Sequence, residues 1–265
     1  MRNPEPLESD ALPPPYTEND PQTQVPGYEP GPAATIKFPP ALNGYYQWKL
    51  TSTFHLGPTA EEKLFAVSTH ATVFNNKPSV VLHDGPTNTH PVMATALGDR
   101  WGRCRPIALT LPPRPDSPYS TEIVESLVPS SAKLSSPTHT FEASVGEKGT
   151  TREKFEWRSS YGNEIKELAG HSHGWKLVRL AAAPNVGGSR RERDFGYTSD
   201  GLEVVAVIAH NASWSMTKSL RFAFMGSGLT GTMGEAWEIL VVTSALQLWY
   251  IDVQTNAAAT AAASA

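Results

Sequence analysis

The chain has 265 residues and a formal net charge of −4, with 22 basic and 26 acidic side chains. This length allows one or two domains with a sizeable core. The charge gives no reason to expect a nucleic-acid-binding protein, because such proteins usually carry a basic surface. The single cysteine, Cys104, excludes an intramolecular disulfide and a zinc site built from several cysteines.

Residues 1–42 are predicted to be a disordered tail. Residues 1–40 hold 11 of the 23 prolines and carry six acidic against two basic side chains, so the rest of the chain is charge-balanced. A segment of this composition cannot bury enough apolar surface to offset the entropy of ordering. Its N-terminus resembles neither a secretory signal nor a transit peptide. We therefore expect a cytoplasmic protein, with peripheral contact to a membrane as a further option.

The tail contains one short binding motif, Pro13-Pro14-Pro15-Tyr16, which matches the pattern P-P-x-Y. Proline-rich segments favour polyproline II, a conformation with little entropy left to lose when it docks into an aromatic groove. The pattern therefore predicts that Pro13, Pro14 and Tyr16 bind a WW-domain protein. Because proteins with such motifs often recruit HECT-type ubiquitin ligases, a ligase of this type is the expected partner. The alternative is a chance match within a proline-rich linker.

The middle of the chain predicts many short β-strands. Short runs of apolar or alternating residues are separated by clusters of Gly, Pro, Asn and Asp, which are turn signals. Phe155 and Trp157, for example, show the period of two that a half-buried strand needs. The predicted strands are residues 45–54, 63–69, 79–83, 91–97, 138–145, 154–159, 175–180, 202–210 and 218–224.

Two segments within this region are predicted to be loops. Residues 112–137 are rich in Pro and Ser and are expected to form a surface insertion, while residues 184–198 contain the basic run SRRER. Arginines in the second loop and in residues 100–105 are candidates for contact with phosphates or anionic headgroups. Ordinary solvated loops are the plainer interpretation. The candidate residues are Arg100, Arg103, Arg105, Arg190, Arg191 and Arg193.

Residues 236–251 are predicted to form a buried helix. Its apolar side chains occupy every face, and a helix of this kind must be enclosed. A membrane anchor is the alternative, but the run has only 16 residues and includes Glu238 and Gln247, whereas a spanning helix needs about 20 mostly apolar residues. A late helix preceded by ten to twelve strands indicates a closed antiparallel β-barrel wrapped around it. The Ala-rich residues 254–265 are expected to form a second low-complexity tail.

Four segments carry a resemblance to a known family: FEWRSSYGNEI (155–165), GWKLVRL (174–180), LEVVAVIAH (202–210) and FAFMGSGLTGTMGEAWEILVVTSALQLW (222–249). They resemble the tubby C-terminal-like superfamily and its LURP-one-related branch of fungal type, over about residues 43–253. The resemblance implies a twelve-stranded barrel around a central C-terminal helix, and a non-enzymatic binding or adaptor role. Tubby proteins bind phosphoinositides through basic groups on the barrel, and scramblases are similar in fold. The resemblance therefore also suggests phosphoinositide or membrane contact, with scramblase-like lipid handling as an alternative.

Residues 170–174 read GHSHG and match the G-x-S-x-G nucleophile elbow of α/β-hydrolases. A serine hydrolase is therefore an alternative function. Its triad would consist of Ser172, Asp194 or Asp200, and His210. The context favours a turn between antiparallel strands, because the preceding NEIKELA carries three charges where a buried parallel strand would be apolar. The upstream half also lacks the alternating helices of an α/β sheet.

Two further patterns could hold a cofactor or a metal. Residues 226–231 match G-x-G-x-x-G, but a dinucleotide site needs further βαβ units and only 13 residues follow Asp252. We expect these glycines to let the chain turn sharply from the barrel wall into its interior. His171 and His173 could bind a metal, but the sequence shows no third ligand. The sequence therefore predicts neither a cofactor nor a metal.

Overall fold

The computed structural model describes residues 36–46, 52–70, 77–98, 105–114, 117, 119–130, 137–146, 149–169, 173–181, 196–210 and 218–263. Within these residues, twelve strands form one closed antiparallel barrel, in which each strand pairs with its neighbours in sequence and β1 pairs with β12. The predicted fold class is confirmed. The strands are β1 (Ala41–Tyr46), β2 (Thr53–Gly57), β3 (Phe65–Thr69), β4 (Val80–His83), β5 (Val92–Leu97), β6 (Ile107–Leu111), β7 (Ile123–Ser130), β8 (Thr138–Val145), β9 (Thr151–Ser160), β10 (Gly174–Arg179), β11 (Val204–His210) and β12 (Lys218–Phe224).

Two α-helices accompany the barrel in the described part of the chain. The short helix α1 (Asn163–Ala169) joins β9 to β10, and its buried Ile165 packs with Val207 and Ala209 of β11. The long helix α2 (Glu235–Ala263) follows β12. The first is a cover on the outside of the wall, and the second fills the interior.

The interior of the barrel is occupied by α2. Every residue of this helix from Trp237 to Trp249 is buried, on all faces, as the apolar pattern predicts. Near one end of the barrel the Trp237 ring lies 5.6 Å from the Phe155 ring of β9, and farther along the helix the Trp249 ring lies 5.0 Å from the Phe54 ring of β2. The core is therefore the contact between this helix and the inner face of the wall.

Polar side chains of α2 bond to the wall within this core. The Ser79 hydroxyl donates to Gln247 Oε1 at 2.6 Å, and Trp157 Nε1 donates to Ser244 Oγ at 2.9 Å. A buried polar group costs free energy unless it is hydrogen-bonded. These two bonds therefore fix the rotation and depth of the helix, which apolar packing alone would specify less strictly.

The chain enters the barrel through a tight turn between β12 and α2. A 3₁₀ turn spans Gly226–Leu229, and Gly226 has φ +48, a left-handed conformation that favours glycine. A Cβ atom at Gly228 would lie 2.3 Å from the Val205 carbonyl oxygen, so the chain can pass only without a side chain. The glycines of the G-x-G-x-x-G match thus serve the turn into the interior, as predicted.

Charged side chains close the barrel end at which α2 begins. Arg114, whose side chain is only 9% exposed, pairs with Glu235 of the helix and, at 2.6 Å, with Asp84 after β4. Lys37 Nζ also lies 2.8 Å from Asp84. The backbone N–H groups of Lys37 and Phe38 donate to Glu238 at 2.8 and 3.4 Å. This network ties the residues before β1 to the first turns of α2.

Four boundaries differ from the predictions. Residues 45–54, predicted as one strand, contribute to two, since β1 ends at Tyr46 and pairs with β2. The predicted insertion, residues 112–137, contains the wall strand β7. Only Leu127 of this strand is fully buried, so the alternation of buried and exposed residues along it is weak. The fully buried Phe38 and the first two residues of β1 lie within the predicted tail. At the other end, α2 continues to Ala263 through residues 256–263, which are mostly exposed.

Among the described residues, no helix combines the length and the apolar character that crossing a bilayer requires.

The buried carboxyl of Glu238 gives the first prediction, which concerns pH. Burial raises the pKa of Glu238, and repulsion by Glu235 adds to this effect, while the N–H groups of Lys37 and Phe38 oppose it. The fold thus favours the protonated form, so this group contributes most stability below its ordinary pKa and loses it as pH rises through the raised value. We expect Glu238→Gln to become more stable relative to wild type at pH 8 than at pH 5.

Urea denaturation of both proteins at the two pH values measures this difference in the free energy of unfolding. The control is Glu122→Gln, which makes the same substitution at an exposed position before β7 and removes no buried carboxyl. A Glu238→Gln effect of equal size at pH 5 and pH 8 would contradict the prediction.

Candidate functional site

A group of two histidines and one aspartate lies at the barrel end from which α2 emerges. His173 immediately precedes β10, His210 is the last residue of β11, and the start of β10 pairs with the end of β11 through Gly174 and Ala209. Asp252 follows Ile251, the last buried residue of α2. We call His173, His210 and Asp252 the His–Asp cluster.

The members of the His–Asp cluster are in close contact. One ring nitrogen of each histidine and one oxygen of Asp252 all lie within 4.8 Å of one another. His210 Nε2 lies 3.0 Å from Asp252 Oδ2, and Trp175 Nε1 donates to the same oxygen at 2.8 Å. The two imidazole rings are stacked, with centroids 5.5 Å apart.

Neighbouring side chains hold the His173 ring from the side of β9. His173 Nε2 lies 2.9 Å from the Ser159 hydroxyl, and the Tyr161 ring centroid is 4.9 Å from that of His173. Tyr161 is 69% exposed, so this flank of the cluster reaches the protein surface. All three members of the cluster are themselves half-buried. The site is therefore built into the wall and remains open to solution on one side.

The environment sets the charges of two members of the cluster. Burial alone would raise the pKa of Asp252, but the adjacent His210 and the Trp175 N–H outweigh it and lower that pKa below its usual value. Burial lowers the pKa of His173, and this effect prevails over the attraction of Asp252. At neutral pH the site thus presents a carboxylate and a neutral His173, both of which are able to donate an electron pair.

The predicted hydrolase triad lies only partly within the described residues. Ser172 and Asp194 lie outside them. Both carboxylate oxygens of Asp200 face Arg158, at 3.0 and 2.8 Å, and no hydrogen bond or ion pair joins Asp200 to His210. His210 faces Asp252 instead.

The last glycine of the GHSHG match has a packing role. A Cβ atom at Gly174 would lie 2.2 Å from the Ile208 carbonyl oxygen of the neighbouring strand and 2.9 Å from the Ile165 side chain of α1. Any larger residue would therefore push β10 away from β11 or displace the helix that covers them. The requirement for glycine here follows from sheet and helix packing, with no need of a nucleophile elbow.

The other predicted contact residues are mostly beyond the described part of the chain. Arg105 is described and exposed, just before β6. Outside the described residues lie Arg100, Arg103, Arg190, Arg191 and Arg193, together with Pro13, Pro14 and Tyr16 of the P-P-x-Y motif. The structure thus leaves the lipid and WW-domain predictions as predictions.

The sequence marks His173 as a possible metal ligand and His210 as a possible member of a hydrolase triad, whereas Asp252 stands out only as an acidic residue after the G-x-G-x-x-G match. The two histidines flank consecutive antiparallel strands, so a hairpin interpretation of residues 173–210 would have placed them together. Asp252 is brought in by the depth of α2 inside the barrel. Neither the spacing nor the residue types reveal that depth.

Comparisons of this chain with protein-family models, with curated proteins and with solved structures found no match.

The position of Asp252 gives the second prediction. Removing a partly buried carboxylate that accepts from Trp175 and faces His210 should cost about 1.5–3 kcal/mol of the free energy of unfolding, in the range for hydrogen bonds to charged groups. We therefore expect Asp252→Ala to be clearly destabilised. Asp200→Ala is the matched control, because it breaks an exposed ion pair with Arg158 that contributes at most about 1 kcal/mol.

Urea unfolding in the presence of a metal chelator measures both variants against wild type. Equal losses of stability for Asp252→Ala and Asp200→Ala would show that the contacts of Asp252 do not hold α2 in place.

Proposed function

We propose that this protein is a non-enzymatic binding or adaptor module of the tubby-like type, whose P-P-x-Y motif recruits a WW-domain protein. The observation that carries the proposal is the filled interior of the barrel. Wide barrels that act as carriers keep a ligand cavity or a channel in their centre. Here the centre is taken by α2, which is buried from Trp237 to Trp249.

A filled interior moves recognition to the outside of the protein. Trp237, Leu246 and Trp249 belong to one continuous apolar core with the inner face of the wall. A ligand could enter only by displacing packing that holds the fold together. Partners must therefore use the outer face of the wall, its two ends or the chain segments attached to it. This arrangement suits a scaffold, with binding motifs carried outside the core.

The tubby-like part of the proposal is supported by agreement between two lines of reasoning. The family resemblance implies twelve strands around a C-terminal helix, and the described residues form twelve strands around α2. Folds host many functions, so this agreement supports the class of protein more strongly than any one activity.

Binding to phosphoinositides or an anionic membrane is a secondary part of the proposal. Four described arginines on the barrel are already paired with carboxylates, so they add little positive potential. They are Arg114, Arg152, Arg158 and Arg179. The lipid site is proposed at the arginines that the sequence singles out, which are Arg105 and those at positions 100, 103, 190, 191 and 193.

The adaptor role gives the third prediction. Immobilised WW domains should capture the full-length protein, and Tyr16→Ala should reduce capture at least about tenfold, because the tyrosine anchors the polyproline segment in the groove. Tyr28→Ala is the matched control, since it removes a second tyrosine from the same proline-rich segment without touching the motif. It should leave capture unchanged.

Equal capture of wild type and Tyr16→Ala would contradict the WW-domain proposal. Labelling of the wild-type protein by a serine-reactive fluorophosphonate probe, abolished in Ser172→Ala, would contradict its non-enzymatic part. Failure to sediment with phosphoinositide vesicles at low salt would remove the lipid part and leave the adaptor role intact.

A further inference from the structure

We propose that the His–Asp cluster is a binding site for a divalent transition metal of the zinc class, with His173, His210 and Asp252 as its three protein ligands. Two imidazoles and a carboxylate are a donor set that suits Zn²⁺ and its neighbours in the first transition row, whereas Ca²⁺ and Mg²⁺ prefer sites made of oxygen alone. Three protein ligands would leave a fourth position for water or for a group from another molecule.

The spacing of the donor atoms is close to what such an ion requires. Zinc lies about 2.0–2.1 Å from nitrogen ligands, so neighbouring corners of its tetrahedron are about 3.3 Å apart. His210 Nε2 and Asp252 Oδ2 are 3.0 Å apart, and the three donors lie within 4.8 Å of one another. Binding an ion would require side-chain rotations that bring the three donors closer together.

The nitrogen that faces Asp252 is placed for a shared metal ion. His210 Nε2 is buried, and Asp252 Oδ2 lies 3.0 Å from it. A metal ion bound between them would replace a proton on this nitrogen, take its lone pair and bind the carboxylate at once.

The surroundings also match those of known metal ligands. Ligating carboxylates and histidines are usually held by further hydrogen bonds, which orient them and tune their basicity. Trp175 Nε1 donates to Asp252, and the Ser159 hydroxyl lies 2.9 Å from His173 Nε2. These partners come from β9 and β10, so the wall prepares the ligands for the ion.

The position of the site suggests what the metal does. Its ligands come from the segment just before β10, from the end of β11 and from α2, at the point where the helix leaves the interior. A bound ion would link the helix to the wall and stabilise the folded state by mass action. The exposed Tyr161 beside His173 marks the side from which the ion and its fourth ligand are reached.

The test is titration of the chelator-treated full-length protein with Zn²⁺ by calorimetry, and with Co²⁺ by visible absorption, which reports tetrahedral coordination. We expect one saturable site, a rise in Tm with Zn²⁺, and affinity reduced at least about tenfold in His173→Gln and in His210→Gln. His90→Gln is the control, because His90 lies in the turn between β4 and β5, at the opposite end of the barrel, and should bind as wild type does.

His173→Cys keeps a zinc ligand at the same position and should retain Zn²⁺ binding with a changed Co²⁺ spectrum. The proposal is overturned if the wild-type protein binds no ion saturably. It is also overturned if folded His173→Gln and His210→Gln bind as tightly as wild type. Loss of folding in the Gln variants, with His173→Cys folded but unable to bind, would equally overturn it and leave the cluster a structural ion pair.

Discussion

The structure depends on the enclosure of a helix that has no polar face. From Trp237 to Trp249 every residue of α2 is buried, and such a helix is stable only if apolar surface surrounds it completely. An open sheet would leave part of it in water. The pairing of β1 with β12 closes the wall. It therefore keeps the apolar surface of the helix out of water and removes both exposed edges of the sheet.

The same enclosure determines what each end of the barrel contains. Where α2 begins, Glu235 pairs with the poorly exposed Arg114, and Glu238 accepts from the chain that precedes β1. Where it emerges, Asp252 meets two histidines of the wall. Because the bonds of Ser244 and Gln247 fix the rotation and depth of the helix, they also set the position of Asp252. The geometry of the candidate site thus depends on hydrogen bonds in the core.

The features predicted best were those with a strong and simple cause. A helix that is apolar on every face and follows many short strands can be buried in few folds other than a barrel around it. The sequence therefore predicts that fold. Strand β7 was missed because its outward residues Val124 and Val128 are apolar, which hides the alternation on which strand prediction depends. The His–Asp cluster was missed because one of its members comes from the interior helix, whose depth is a tertiary property.

The central claim, that α2 lies inside a closed wall, is tested most directly by amide hydrogen exchange measured along this helix. Amides of residues 237–249 should exchange most slowly of the whole chain, near the limit set by global unfolding, because they open only when the barrel does. Residues 256–263 belong to the same helix but are mostly exposed, and they should exchange many times faster. Similar rates in the two halves of α2 would show that the wall does not enclose it, and would contradict the account.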